Sequence, residues 1–316
     1  MSYLYLLSGM VPEQELALAE ARALVTSATR QDGLVLIARE LHEIQHSAYV
    51  RLTAELWLAA ASVEELLALV PSLDLEAEEF AIEVYRRPRH GVAKFDSQAL
   101  CAKLGRLVRG GANLSAPKTR LAVVATPSHV YFGRIVAESD RGFRKQDEKP
   151  CMYSGALPGR MARAAVNLAV LPGQRVHDLV CGSGTLVIEA LELGARATGS
   201  DLSWKNARCA ARNAEWYGYP PEVVWAANAF ELELSADVVL GNLPYGRALD
   251  ISPEELREFA RAALRIAPRA LLITAQPLAP LLQGEPMRVA TLARVPCSGF
   301  YRHFELLERA GTSNES

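Results

Sequence analysis

A chain of 316 residues, 50% hydrophobic and 22% charged, is long enough for more than one packed domain and too apolar to remain unfolded. No apolar run reaches the roughly 18 residues of a membrane span, and the opening MSYLYLLSGMV has only a short apolar run with no basic region before it, so a cytoplasmic protein is expected rather than an exported or membrane one. The net charge of −2 conceals an uneven spread: residues 1–80 carry 4 basic and 13 acidic residues, residues 81–150 carry 14 and 6, and the rest 16 and 17. The basic middle is either a phosphate-contacting surface or a solvated face balancing the acidic start.

In chain order, Tyr3 to Leu7 reads as a strand, and Pro12 to Thr26 as a helix with apolar residues at 16, 18, 19, 23 and 24. Strands at Leu34 to Ala38 and Tyr49 to Leu56 follow, then a helix at Val63 to Val70 with Ser62 as its N-cap. This alternation suggests a ferredoxin-like module over residues 1–75. Strands at Phe80 to Tyr85, Leu121 to Ala125 and Val130 to Val136 surround a basic helix, Ser97 to Val108. Arg141 to Pro150, with six charged residues, reads as a linker or surface loop, placing a linker at 141–153 and a second domain at 154–316 that opens with a helix from Ser154 to Val170.

Val176 to Asp201 reads VHDLVCGSGTLVIEALELGARATGSD. A strand leads to Asp178, a turn at Cys181-Gly182-Ser183-Gly184-Thr185 precedes a helix over Leu186 to Leu193, Gly194 caps it, and a second strand ends on Asp201. Glycines let a ligand approach a loop backbone closely, a helix N-terminus offers unpaired N–H donors, and an acid closing the second strand can accept from ribose hydroxyls. The pattern therefore predicts a nucleotide-type ligand. NAD suits it less, because Val187 occupies the place of the third glycine of GxGxxG, and ATP less still, because the phosphate-loop lysine is missing.

Beyond this stretch, Ser203 is expected to cap a helix over Trp204 to Tyr217, followed by strands at Val223 to Ala226 and Ala236 to Leu240, a helix at Pro253 to Ile266, a strand at Ala270 to Thr274, and a final antiparallel pair near Arg288 to Val295 and Tyr301 to Leu307. The five cysteines form no CxxC pair and are expected as reduced thiols; six scattered histidines show no ligand spacing, and no metal is expected.

DLVCGSGT followed by Gly199-Ser200-Asp201 resembles the S-adenosylmethionine site of Rossmann-fold methyltransferases. Gly241-Asn242-Leu243-Pro244-Tyr245-Gly246 is similar to the [D/N]PPY motif of their amino-methylating members, and Pro158 to Ala164 to the segment before the cofactor site, where Ser154 and Arg160 either approach cofactor or substrate or serve as a cap and a surface charge. Asn113 to Pro117 and the strand pair after it resemble the closing part of a THUMP domain, an RNA-binding module over residues 76–140. Taken together the chain resembles the THUMP-domain tRNA guanine-N2 methyltransferases. The resemblance implies an α/β protein: a C-terminal doubly wound Rossmann-like methyltransferase sheet after an N-terminal α+β RNA-binding region, ferredoxin-like plus THUMP-like.

It further implies S-adenosylmethionine as cofactor, held by Asp178, Cys181, Gly182, Ser183, Gly184, Thr185, Asp201, Leu202, Asn228, Ala229 and Asn242, and tRNA as partner. Asn242, Pro244 and Tyr245 would be catalytic. An exocyclic amine conjugated with a base is a poor nucleophile until acceptors hold its hydrogens; the Asn242 side-chain oxygen and the Leu243 carbonyl supply two, and Tyr245 a ring to stack on the base. The chain departs from the family at Leu179 (usually Pro), Asn228 (usually Asp), and Asn242 and Leu243 (usually Asp-Pro). Asn in the first motif place also occurs in enzymes that methylate adenine in DNA or glutamine in protein, so another amino methyltransferase is the alternative, and an RNA binder without catalysis a third reading.

Overall fold

The computed structural model describes residues 1–9, 11–87, 91–152, 155–244 and 251–310. The chain divides into two compact units, one of residues 1–8 and 24–140 and one of residues 9–23 and 141–316. In chain order the elements are β1 (Ser2–Leu7), α1 (Gln14–Leu24), β2 (Ala28–Asp32), β3 (Val35–Ala38), β4 (Val50–Ala60), α2 (Val63–Leu69), β5 (Phe80–Arg86), α3 (Ser97–Gly105), β6 (Thr119–Ala125), β7 (Val130–Glu138), α4 (Gly159–Ala169), β8 (Arg175–Asp178), α5 (Thr185–Glu192), β9 (Arg196–Asp201), α6 (Trp204–Tyr217), β10 (Val224–Ala226), β11 (Val238–Asn242), α7 (Pro253–Ile266), β12 (Arg269–Thr274), α8 (Leu278–Leu281), β13 (Met287–Cys297) and β14 (Phe300–Arg309).

The first unit is one sheet in the order β2-β3-β1-β4-β7-β6-β5, antiparallel except for β5 beside β6. Alternate residues of β6 serve two cores: Leu121 and Val123 pack with Leu66, Leu100, Leu104 and Phe132 on the helix side, Ala122 and Val124 with Leu4, Leu6, Val35 and Leu52 on the other. The sheet curls strongly. Asp32 on β2, three strands removed from β7, accepts the Tyr131 hydroxyl at 2.8 Å and those of Thr126 and Ser128 at 2.7 Å each. Two bulges between β4 and β7 assist the bend, and Gly133 sits at that pairing because a Cβ there would lie 1.9 Å from the Glu55 carbonyl oxygen. Strand β2 escaped the sequence reading, since its residues ATRQD are half-buried or exposed with no alternation.

The second unit is a doubly wound sheet in the order β10-β9-β8-β11-β12-β14-β13, parallel from β10 to β12, with β14 antiparallel to β12 and β13 antiparallel to β14. The α/β architecture and the closing antiparallel pair agree with the sequence reading. The chain leaves β8 toward β9 and β10 on one side and returns to β11 and β12 on the other, so the strand order reverses between β8 and β11. At such a reversal the carboxyl ends of parallel strands leave a crevice.

Some expectations shift. The helix after residue 154 begins only at Gly159, and Ser154 is outside the described residues. The charged stretch after Arg141 forms a 3-10 helix, Gly142–Glu148, that buries Phe143 and Gln146, because its few less polar residues fall on the side facing the unit. Helix α1 packs within the second unit, where fully buried Glu20 accepts the Asn167 amide of α4 at 2.6 Å. The cysteine expectation is corrected: Cys151 and Cys209 form a disulfide with Cα atoms 5.5 Å apart, while Cys101, Cys181 and Cys297 are free. The pairing spans 58 residues and exists only because the segment before α4 crosses α6.

Candidate active site

The crevice at the strand reversal is a cavity of about 370 Å³, within the range of small-molecule sites. Its position follows from strand register. Asp178 ends β8 level with Leu240 of β11 and Gly199 of β9, so the chain after each strand converges on one edge. The loop after β8 is tied back by the Cys181 N–H donating to the Ser200 carbonyl at 2.8 Å, and the Leu179 N–H to the Leu240 carbonyl at 3.0 Å.

Of the residues singled out in the sequence, Asp178, Cys181, Gly182, Ser183, Thr185, Asp201, Leu202, Asn242 and Pro244 line this cavity, with Leu243 between the last two. Gly184 does not line it. It caps α5 at φ 79°, and a Cβ there would come within 3.1 Å of the Ala210 Cβ, so helix packing as well as backbone conformation selects this glycine. Asn228 and Ala229 also stay out of the lining: the Asn228 side chain accepts the Phe230 N–H at 3.1 Å and donates to Glu231 at 2.9 Å, capping a short turn, and Ala229 is buried in the core beside Leu243. Tyr245 lies outside the described residues. Arg160 turns to the Phe143 ring, 5.2 Å from its centroid, and is 3.8 Å from Glu13.

Sequence reasoning missed eight lining residues, two of which, Val180 and Leu186, flank the glycine turn itself. Gly155, Ala156 and Leu157 come from the segment before α4, Ser203 and Asn206 from the first turn of α6, and Phe259 from α7. The small, flat sequence SGAL at 154–157 carries no chemical signal, and Phe259 reads as one more apolar position of an amphipathic helix.

The electrostatics are one-sided, since the lining holds two carboxylates and, among the described residues, no lysine, arginine or histidine. Asp201 accepts from the Gly182 N–H at 2.9 Å, the Ser203 N–H at 2.9 Å and the Asn206 amide at 3.1 Å, so its carboxylate ties the glycine loop to α6. Asp178 has one such bond, from the Val180 N–H at 3.2 Å; burial, aided by the nearby Asp201 charge, pushes its carboxyl up to about 7. Burial holds the Cys181 thiol well above its usual value, with Asp178 and Asp201 adding to the effect, so it is a neutral wall of the site and no nucleophile. His177, one residue before Asp178, bonds Thr198 and Ser200 and is driven down to about 4 by burial, remaining neutral.

An acid with a raised folded-state pKa favours folding most at pH values below its unfolded pKa, and that contribution is lost as pH rises through the folded value. Asp178→Asn mimics the protonated acid. Its stability relative to the parent should therefore grow with pH by up to about 1.4 kcal/mol per unit between pH 4 and 7, then level off. Thermal melts without ligand at pH 5 and pH 8 test this, and a difference that does not change with pH counts against the raised pKa.

A glycine loop between two strand-ending acids thus shares one cavity with an Asn-x-Pro strand end. Residues 146–279 match the family model UPF0020, the RMKL-like methyltransferase domain. The chain is 26% identical over 223 residues to the tRNA (guanine(10)-N2)-dimethyltransferase of Methanothermobacter thermautotrophicus, covering 65% of this chain and 66% of that one. It is 27% identical over 163 residues to the enzyme of the same name from Methanocaldococcus jannaschii, covering 49% and 46%. The chain thus spans two thirds or less of the length of these curated relatives. Among solved structures, TrmN from Thermus thermophilus aligns over 98% of this chain and 100% of its own with a TM-score of 0.55 and 23% identity, a likeness of fold. The resemblance to the tRNA guanine-N2 methyltransferases read from the sequence is shared by the first of these relatives. Within the matched segment, Leu243, the departure from Asp-Pro-Pro-Tyr, is 1% exposed in the core with Leu179, Leu256 and Leu272.

Proposed function

We propose that this protein is an S-adenosylmethionine-dependent methyltransferase that modifies the exocyclic 2-amino group of a guanosine in tRNA, working in the cytoplasm. The observation that carries this reading is that Asn242 and Pro244 share one cavity with Asp178, the glycine loop and Asp201. The cofactor fits the residues present: the cavity has a suitable volume, its two carboxylates suit a cationic ligand with a ribose diol, and Gly182, at φ 54°, leaves the loop backbone open to close approach. When bound, S-adenosylmethionine supplies a methyl group on a sulfonium. Asp201 would hold the ribose, Leu202, 77% exposed at the cavity edge, would cover the adenine, and Asp178 would face the cationic part of the ligand.

The chain's own task is to free and aim the amine. The Asn242 amide donates to the Gly155 carbonyl at 3.3 Å, which ties the end of β11 to the segment before α4. The Leu243 N–H donates to the Ile273 carbonyl at 3.0 Å, fixing the strand end in register with β12. From this anchored position the Asn242 oxygen and the Leu243 carbonyl accept the hydrogens of the amine, Pro244 holds the turn, and Tyr245 stacks on the base. Orientation supplies most of the acceleration. A base within a stem must be flipped out to reach the cavity. The basic segment 81–150 and the sheet of the first unit would hold the rest of the RNA.

The deciding assay is transfer of labelled methyl groups from S-adenosylmethionine to unmodified tRNA, followed by nucleoside digestion. N2-methylguanosine is expected, with RNA binding that weakens steeply as salt is added. Label in N6-methyladenosine or on protein glutamine would move the protein to the other amino methyltransferases, and cofactor binding with no label on any tRNA would leave an RNA binder without catalysis.

A further inference from the structure

An amino-acid portion of a cofactor carries a carboxylate as well as an ammonium, and among the described residues the lining offers that carboxylate only Asp201 and the partly protonated Asp178 as charged neighbours. Two acids repel an anion unless a cation stands close behind the wall. Thr185, a lining residue and the first of α5, has such a cation behind it. The Lys149 ammonium, 5% exposed, donates to the Thr185 hydroxyl oxygen at 2.6 Å and to the Gln146 side-chain oxygen at 3.2 Å. Among the described residues it forms no ion pair.

Its surroundings do not cancel its charge. Gln146 donates in turn to Glu189 at 2.9 Å, and Glu189 is already engaged by the buried Arg163, whose Nε lies 2.7 Å away. Two buried cations thus share the buried Glu189, whose carboxyl burial pushes upward, and the Asp147 carboxylate acts on Lys149 only through space, without a hydrogen bond to it. Desolvation lowers the Lys149 pKa to about 8, so most of the ammonium still carries its proton at neutral pH. A buried ammonium that touches only neutral oxygens is costly despite the nearby Glu189 and Asp147 charges, and an anion bound at Thr185 would offset that cost. Because the Thr185 oxygen accepts from an ammonium, its own O–H becomes a stronger donor toward the cavity, and the N-terminal end of α5 adds a partial charge of the same sign.

We infer that Lys149 is a positioning residue that, through Thr185, makes this end of the cavity the seat of the carboxylate of the cofactor's methionyl part. The inference rests on the proposed S-adenosylmethionine site. The sequence contains no motif for it, because Lys149 lies in a charged run that reads as solvated and stands 36 residues from its partner.

Calorimetry with S-adenosylhomocysteine and with its decarboxylated analogue, which keeps the ammonium and lacks the carboxylate, separates this role from a merely structural one. Lys149→Met should weaken S-adenosylhomocysteine about ten- to hundredfold, as loss of a charge-assisted bond does, and leave the decarboxylated analogue unchanged within about twofold. Lys149→Gln, which keeps a donor without the charge, should show the same selectivity and serves if the Met variant does not fold. Equal losses for both ligands, no loss for either, or a parent protein that binds both equally well would overturn the inference while leaving the cofactor site standing. A parent protein that binds neither ligand would overturn the cofactor reading and this inference with it.

Discussion

Asn242→Ala is expected to lower methyl transfer by about a hundred- to thousandfold, the usual consequence of removing one well-placed polar contact to a reacting group. Affinity for S-adenosylhomocysteine should change little, because the proposed contact is to the amine. The side chain donates to the Gly155 carbonyl, so a small loosening of the segment before α4 is expected as well. Single-turnover rates with tRNA, set beside the calorimetric affinity, distinguish the two effects. A variant that turns over within a few fold of the parent would remove Asn242 from the chemistry, and one that loses cofactor affinity in proportion to rate would make it a binding residue.

The second large effect is expected at Asp201. Its carboxylate accepts three N–H donors, from Gly182, Ser203 and Asn206, so Asp201→Ala removes a ribose acceptor and at the same time releases the glycine loop from α6. Each lost bond to a charged acceptor is worth about 1.5–3 kcal/mol, and an affinity loss of about a hundredfold or more follows. Hydrogen exchange at the Gly182 and Ser203 amides shows how much of the loss comes from the loop. Unchanged S-adenosylhomocysteine affinity in this variant would end the ribose assignment.

The structure clarifies why some site residues were legible and others were not. Asp178, the CGSGT turn and Asp201 lie within 26 consecutive residues, and each owes its conformation to neighbours in that same stretch: a strand end, positive φ at Gly182 and Gly184, a helix start, a second strand end. Asn242 was legible because an apolar strand pattern and the Pro-Tyr pair after it mark its place locally. Asn228 shows the limit of such reading. Its position after β10 matches the expectation, yet its side chain satisfies the Phe230 N–H and Glu231, a choice that depends on how the following turn closes.

Periodicity and caps in the sequence were by themselves enough to determine the second unit's alternation of strands and helices, its closing antiparallel pair, the glycine turn, and several helix starts, including the Ser203 cap of α6, because these features arise from contacts a few residues apart. Only the tertiary structure decided the rest. The Cys151–Cys209 disulfide, the contact of Glu20 with Asn167, the lining contributed by Gly155 to Leu157, and the Lys149 ammonium behind Thr185 all join segments separated by tens to more than a hundred residues. A buried lysine and an exposed one are the same letter in a charged run; what distinguishes them is the desolvation and the hydrogen-bond partner that packing imposes.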